Sequence, residues 1–322
     1  MTSDIRLADL CARHGGTAGL VFREGPAGLF FADVTNRHAH ACVCLQGAQV
    51  LHWQPHDQAH PVLWLSAGAR LAPGKAIRGG IPICWPWFGP AAPGSAQPQA
   101  AGSAHGFART QAWSFNGAQA LADGATRLCL RLTDTVQTRE AWPAAFDLEL
   151  RVTIGASLGL ELTSRNTGSA VIMITEALHT YFRIGDIDAI AVHGLAGESY
   201  FDAVAATAAA PAASAEPAEQ EGAVRFPGEV DRVYDARGGC HIDDPLLGRQ
   251  LHIAKSGSAS TIVWNPWNAK AERLGDIEPG GWRQMVCVES GNARANTVRL
   301  APGASHCLSV RYHVKPLRTG AA

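Results

Sequence analysis

The chain has 322 residues, 47% of them hydrophobic and 17% charged, which is enough apolar material for a substantial core. Its 27 Lys and Arg against 28 Asp and Glu leave a net charge of −1, so no broad basic field attracts nucleic acid or an anionic membrane. No apolar run approaches the length of a membrane span, and the eight cysteines are scattered without a CxxC pair, which argues against a disulfide framework and for reduced core thiols in a cytoplasmic protein.

In chain order, the first expected element is a short helix over about residues 3–13, capped by Ser3 and closed near Gly15–Gly16. The segment 1–14 lacks the apolar stretch of a signal peptide. Strands are expected over Gln49–Trp53 and Pro61–Leu65. Leu128, Leu130 and Leu132 alternate with polar residues. So do Phe146, Leu148, Leu150, Val152 and Ile154, and, after a turn at Gly155–Ser157, Leu158, Leu160 and Leu162. Unbroken period two predicts strands with one buried and one solvated face, joined as a hairpin or meander. Further strands are expected over Val171–Thr175, Thr261–Trp264, Met285–Glu289 and Cys307–Tyr312. Residues 91–104, rich in Pro, Gly, Ala and Gln, read as a loop. The Ala-rich run 203–223 reads as a flexible surface loop, with room for a helix. Many strands and few helices predict an all-β fold, an antiparallel sandwich or barrel, with residues 1–322 forming one domain.

The segment Arg78–Pro90 is the most informative. Its thirteen residues hold three aromatics, three glycines, three prolines and one arginine. Pro82 and Pro86 cannot donate to a ladder, so the segment is a poor central strand. Trp85, Trp87 and Phe88 on so constrained a backbone suggest a rigid wall with Arg78 at its lip, suited to a ring-shaped polar ligand. The same rings could instead plug a core.

Four polar positions accompany this wall. His105 begins His105-Gly106-Phe107-Ala108-Arg109. His179 lies in the strand-like run 176–182, Asp231 lies in 229–234, and Glu289 closes the strand Met285–Glu289. Each alone is ordinary for a structural residue, and Asp231 beside Arg232 could be a surface ion pair. Their combination carries the functional reading. The 13 histidines include no HExxH; His38–His40 and Glu176–His179 indicate no third ligand, so no metal is expected. A GK[ST] motif is absent.

The chain resembles the hexose-6-phosphate mutarotases, a branch of the aldose 1-epimerase superfamily. The resemblance rests on Gly47–Trp53, Val62–Ser66, Ile77–Gly89, His105–Arg109, Trp142–Pro143, Glu176–Tyr181, Asp231–Tyr234, Val263–Trp267 and Val286–Gly291, in family order over roughly residues 45–312. It implies a large antiparallel β-sandwich of the galactose-mutarotase type and interconversion of the α and β anomers of a hexose 6-phosphate. It places the catalytic histidines at His105 and His179, the catalytic carboxylate at Glu289, a sugar-binding aspartate at Asp231 and the first arginine at Arg78. Arg109 is expected to join Arg78 at the phosphate, with Lys75 as a further cation and Trp85, Trp87 and Phe88 as the wall. Glu289 would act as base and His179 as acid. His105 would stabilise charge developing at the C1 oxygen. No cofactor is implied, and a monomer is expected. The alternatives are a mutarotase of non-phosphorylated sugar and a non-catalytic carbohydrate-binding protein. The run 203–223 matches no block of the family, and Ser290 stands where many relatives have proline.

Overall fold

In a computed structural model, residues 7–90, 104–209 and 217–317 are described. The alternating segments form the strands their pattern predicts. Phe146–Ile154 pairs antiparallel with Ser157–Asn166, and Thr126–Thr133 lies on its other side. Leu148, Leu150, Val152, Leu158, Leu160 and Leu162 are fully buried. Their intervening residues face outward, as period two requires.

These strands belong to an eight-stranded antiparallel sheet. Its order is Ala191–His193, Cys240–Asp244, Arg249–Ser256, Ser305–Pro316, Ser157–Asn166, Phe146–Ile154, Thr126–Thr133 and Ser114–Ala120. A second eight-stranded sheet runs Ala218–Glu219, Ser199–Asp202, Val230–Tyr234, Ser260–Asn265, Met285–Asn292, Glu176–Leu178 and Ile83–Cys84, with Tyr181–Arg183 also paired to Met285–Asn292. The two sheets meet through Phe182 and Tyr312, whose rings sit 5.2 Å apart edge to face. A 2.5 Å bond between the Thr180 and Tyr312 hydroxyls satisfies both groups inside that core. The architecture is therefore an all-β antiparallel sandwich. An N-terminal four-stranded sheet, Leu20–Glu24, Phe30–Thr35, Ala39–Cys44 and Gln49–Pro55, adds to the same core.

Three of the expected segments take a more definite form. The N-terminal helix spans Leu7–His14 and closes with Gly15 N–H on the Cys11 carbonyl; Ser3 lies outside the described residues. Pro61–Leu65 is no continuous strand: the Val62 amide goes to Trp53 and the Trp64 amide to Tyr181, and it makes isolated bridges at Leu63 with Phe182 and at Leu65 with Gly79. The run 203–223 is ordered at both ends. Ala203–Ala209 is a helix whose first amides, Val204 and Ala205, donate to Asp202 Oδ1, and Ala218–Glu219 is an edge strand. Residues 210–216 of that run, and 91–103 of the expected loop 91–104, lie outside the described residues. All eight thiols are free, but only Cys44, Cys84, Cys240 and Cys287 are buried; Cys11 and Cys307 are exposed.

Candidate active site

The strand Met285–Asn292 positions the site. It runs three residues beyond its expected end, and all eight of its residues are buried. Its inner face contributes Val286 and Val288 to the main core. By register, Glu289 pairs with Ile262 and shares the opposite, outward face with Val233. Ile262 and Val233 form a small separate cluster there with Cys84, Ala177 and Ala293, and Phe88 packs against it. Glu289 thus emerges on the outward face of the sheet, yet is only 1% exposed.

The interruption at residues 179–180 between the strands Glu176–Leu178 and Tyr181–Arg183 sets His179 beside it. His179 Nε2 lies 3.3 Å from Glu289 Oε1. The His179 ring stacks on Tyr181 at 4.8 Å and 10°, with Trp264 edge-on at 6.0 Å. These two aromatics fix the imidazole plane. His179 Nδ1 and Glu289 Oε2 are buried and have no hydrogen-bond partner among the described residues. Two unpaired polar atoms at one buried spot are costly in a finished core and ordinary at a site built for a polar ligand.

His105 comes from a different part of the chain. Its ring lies 5.7 Å from that of His179, nearly perpendicular. Its backbone is left-handed, with φ 70°, a conformation that costs a side-chain-bearing residue about 1–2 kcal/mol. Gly89 holds it: His105 N–H donates to the Gly89 carbonyl at 2.7 Å, and Gly89 N–H donates to His105 Nδ1 at 3.2 Å. Nδ1 being the acceptor, the proton of the neutral ring belongs on Nε2. Gly106 must be glycine, since a Cβ there would sit 2.0 Å from the Trp85 carbonyl oxygen at φ 68°.

The aromatic segment divides its labour. Trp85 is a core residue, fully buried among Phe107, Trp142 and Phe146, with Nε1 on Ser164 Oγ at 3.1 Å. Its expected place in a sugar-facing wall is corrected, because residue 85 points between the two sheets. Trp87 is half-buried and packs edge-on to Phe107. Phe88, also half-buried, meets His105 at 4.8 Å and supports it from the outward face.

Of the expected cations, Arg78 and Arg109 bring their charge to both histidines. Arg78 Nε pairs with Asp276 at 3.0 Å, and its Nη1 donates to the Tyr181 hydroxyl at 2.9 Å. Arg109 Nη2 donates to the Ala104 carbonyl at 2.5 Å, while its buried Nε has no partner among the described residues. Lys75 is an exposed residue whose carbonyl accepts from Gln46. Asp231 is not paired with its neighbour Arg232. Consecutive strand residues face opposite ways, so Arg232 joins Asp202 and Tyr200, while Asp231 lies 3.4 Å from Lys270 and within electrostatic reach of Glu289.

The electrostatics follow from burial. Burial, reinforced by the Asp231 charge, pushes the Glu289 carboxyl well above its ordinary range, against the pull of Arg109. Burial, with His105, Arg109 and Arg78, pushes His179 well below its own. Burial and the same two arginines bring His105 down to about 3, so it is neutral at pH 7. Both shifts favour the uncharged forms, a carboxylic acid at Glu289 and a neutral imidazole at His179, which leave the pair one transferable proton. His179, Cys287 and Glu289 bring three potential metal ligand atoms within 4.8 Å, but burial holds the Cys287 thiol well up, so a metal there must first displace its proton. Glu176, three residues before His179, turns instead to Asn292 and His306.

Sequence reasoning missed Tyr181, Asp276, Trp264 and Lys270 as site residues. Tyr181 and Trp264 sit within recognisable blocks. Nothing local marks Asp276, whose partner Arg78 is 198 residues away.

Comparison with known proteins identifies the family. A protein of Escherichia coli K12, provisionally named glucose-6-phosphate 1-epimerase, is 36% identical over 254 residues, covering 79% of this chain and 80% of that protein. A protein of Cenchrus ciliaris with the same provisional name is 35% identical over 296 residues, covering 86% and 82%. The crystal structure of a provisionally assigned mutarotase of Salmonella typhimurium superposes with a TM-score of 0.83 at 31% identity, covering 94% of this chain and 96% of that one. The aldose 1-epimerase family signature matches residues 32–313, and the chain belongs to that family.

Proposed function

We propose that this protein interconverts the α and β anomers of a hexose 6-phosphate, glucose 6-phosphate foremost. The observation that carries the reading is the buried His179–Glu289 pair at 3.3 Å, beside His105 and within the field of Arg78 and Arg109. The provisional names of the E. coli and Cenchrus relatives support the phosphorylated substrate.

Ring opening needs one proton removed from the C1 hydroxyl and one delivered to the ring oxygen. A pair that holds a single proton is suited to this exchange. With Glu289 as carboxylate and His179 as imidazolium, Glu289 takes the hydroxyl proton and His179 protonates the ring oxygen. The C1–O5 bond breaks, C1 becomes the aldehyde carbon and O5 a hydroxyl. After rotation about C1–C2, the aldehyde recloses on its other face. His179 then takes the O5 proton, and Glu289 returns a proton to O1. The pair ends with the one proton it began with, and no electrons leave the sugar. The His105 Nε2–H is the donor we assign to negative charge building on the C1 oxygen. Asp231 and the aromatic rim of Trp87 and Phe88 are assigned to the sugar's hydroxyls and C–H face. Arg109, whose Nε is unpaired among the described residues, is the better assigned phosphate ligand, with Arg78 second.

That Arg78 already serves Asp276 and Tyr181 favours a second reading, a mutarotase of free sugar in which Arg78 orders the site. Saturation-transfer NMR of anomer exchange on glucose and on glucose 6-phosphate separates the two. Equal kcat/KM on both substrates rejects the phosphate assignment, and no exchange on either rejects catalysis. We further assign the chain to a reducing compartment on its eight free thiols.

A further inference from the structure

Four histidines stand in one row across four neighbouring strands of the sheet that does not carry the catalytic pair. His193 pairs with His241, His241 with His252, and His252 with His313. Their strand neighbours Val192, Ile242, Leu251 and Val314 are buried, so the row lies on the solvent side of the sheet. Asp243 sits two residues from His241 on the same face. Its Oδ2 is 3.3 Å from His193 Nε2 and its Oδ1 is 3.7 Å from His241 Nε2.

We infer that His193, His241 and Asp243 form a binding site for a divalent transition metal such as zinc, which ties the end strand Ala191–His193 to Cys240–Asp244. Two ligands held about 2.0–2.1 Å from a tetrahedral zinc lie about 3.3–3.4 Å apart, close to the two His–Asp separations observed. All three ligand atoms lie within 4.8 Å of one another. An ordinary surface ion pair needs one imidazole per carboxylate; here two imidazoles share one. The two rings stack in parallel at 4.9 Å and 8°, so seating an ion requires each to turn toward Asp243. At 39% and 32% side-chain exposure both have room to do so. The carboxylate is already oriented from behind, because Gln250 Nε2 donates to Asp243 Oδ1 at 2.7 Å, the kind of outer partner that ligating carboxylates keep. His252 stands next in the row, outside this group of three. Its ring stacks on His241 at 5.4 Å, and its buried Nε2 has no partner among the described residues.

The test is zinc titration of the full chain, without an affinity tag, by isothermal calorimetry, together with the absorption spectrum of the Co²⁺ form. One equivalent should bind to the wild type. His193→Gln, His241→Gln and Asp243→Asn should each weaken it at least tenfold and remove the rise in melting temperature on adding zinc, while His241→Gln leaves anomer exchange unchanged. The cobalt spectrum should show d–d bands without a thiolate charge-transfer band. Because these side chains are half-exposed, circular dichroism should show all three variants folded. The inference is overturned by an absence of saturable zinc uptake. It is overturned equally by uptake that survives His193→Gln and His241→Gln but is lost in His179→Asn, or by a thiolate band, either of which would place the ion at Cys287.

Discussion

Replacing Glu289 by glutamine should separate activity from stability in opposite directions. Glutamine is nearly isosteric, and its amide can donate to His179 Nε2 across the same 3.3 Å. What it cannot do is accept the C1 hydroxyl proton. General acid–base contributions of this kind are worth about 10²–10⁴ in rate, so kcat should fall by that factor. For stability, the unfolded Glu289 titrates near the ordinary 4.5, while the folded carboxyl is raised well above it. Between those values the folded state holds a proton that the unfolded state has lost, so wild-type stability falls as pH rises. From pH 4.5 to pH 7 the accumulated penalty is at most about 3 kcal/mol, from 2.5 units at 1.36 kcal/mol each. Glutamine carries no such penalty. Urea denaturation at pH 5, 7 and 8.5 should therefore show the Glu289→Gln variant gaining on the wild type as pH rises, while NMR shows its exchange rate near the uncatalysed value. Exchange within tenfold of wild type would refute the base assignment. Parallel stability–pH curves for the two proteins would refute the protonated buried carboxyl.

Trp85→Ala should cost about 3–5 kcal/mol of stability by urea denaturation while leaving the KM of the folded protein near wild type, because the indole lies between the sheets; an unchanged stability with a tenfold higher KM would return Trp85 to the sugar wall. Gly106→Ala should leave little soluble protein, since its Cβ would sit 2.0 Å from the Trp85 carbonyl oxygen, whereas Gly74→Ala, at the similar φ of 71° with nothing within 4 Å, should cost only about 1–2 kcal/mol in melting experiments. His105, lowered from 6.5 to about 3 in the folded state, is neutral there while the unfolded chain takes up a proton as pH falls through 6.5. Stability is thus lost from pH 6.5 downward, on the order of 3 kcal/mol by pH 4, and His105→Gln should flatten that part of the curve in acid denaturation followed by circular dichroism.

The strictly alternating strands were legible from local chemistry alone. Phe146–Ile154 and Ser157–Asn166 announce themselves because period two on one strand reports which face is buried, whatever the partner. His105, His179, Asp231 and Glu289 were also legible, each within a short block of the family. The strand Cys240–Asp244 escaped notice, because its buried residues, Cys240, Ile242 and Asp244, include a charged one. The helix Trp267–Leu274 escaped too, because it opens on Trp267 at positive φ after Pro266 and has no side-chain cap to mark its start.

What only the tertiary structure decided is pairing over distance. Nothing near Trp85 says whether its ring faces sugar or core, since Ser164, 79 residues on, receives its N–H. Nothing near Arg78 in the chain says that Asp276 and Tyr181 take two of its donors. The row His193, His241, His252 and His313 has no spacing that a motif could record; strand register alone sets those rings side by side. The physical reason is common to all three. Burial and alternation act within a few residues and leave a pattern in the chain, whereas a contact between distant strands depends on how the sheets are ordered, which local propensity does not encode.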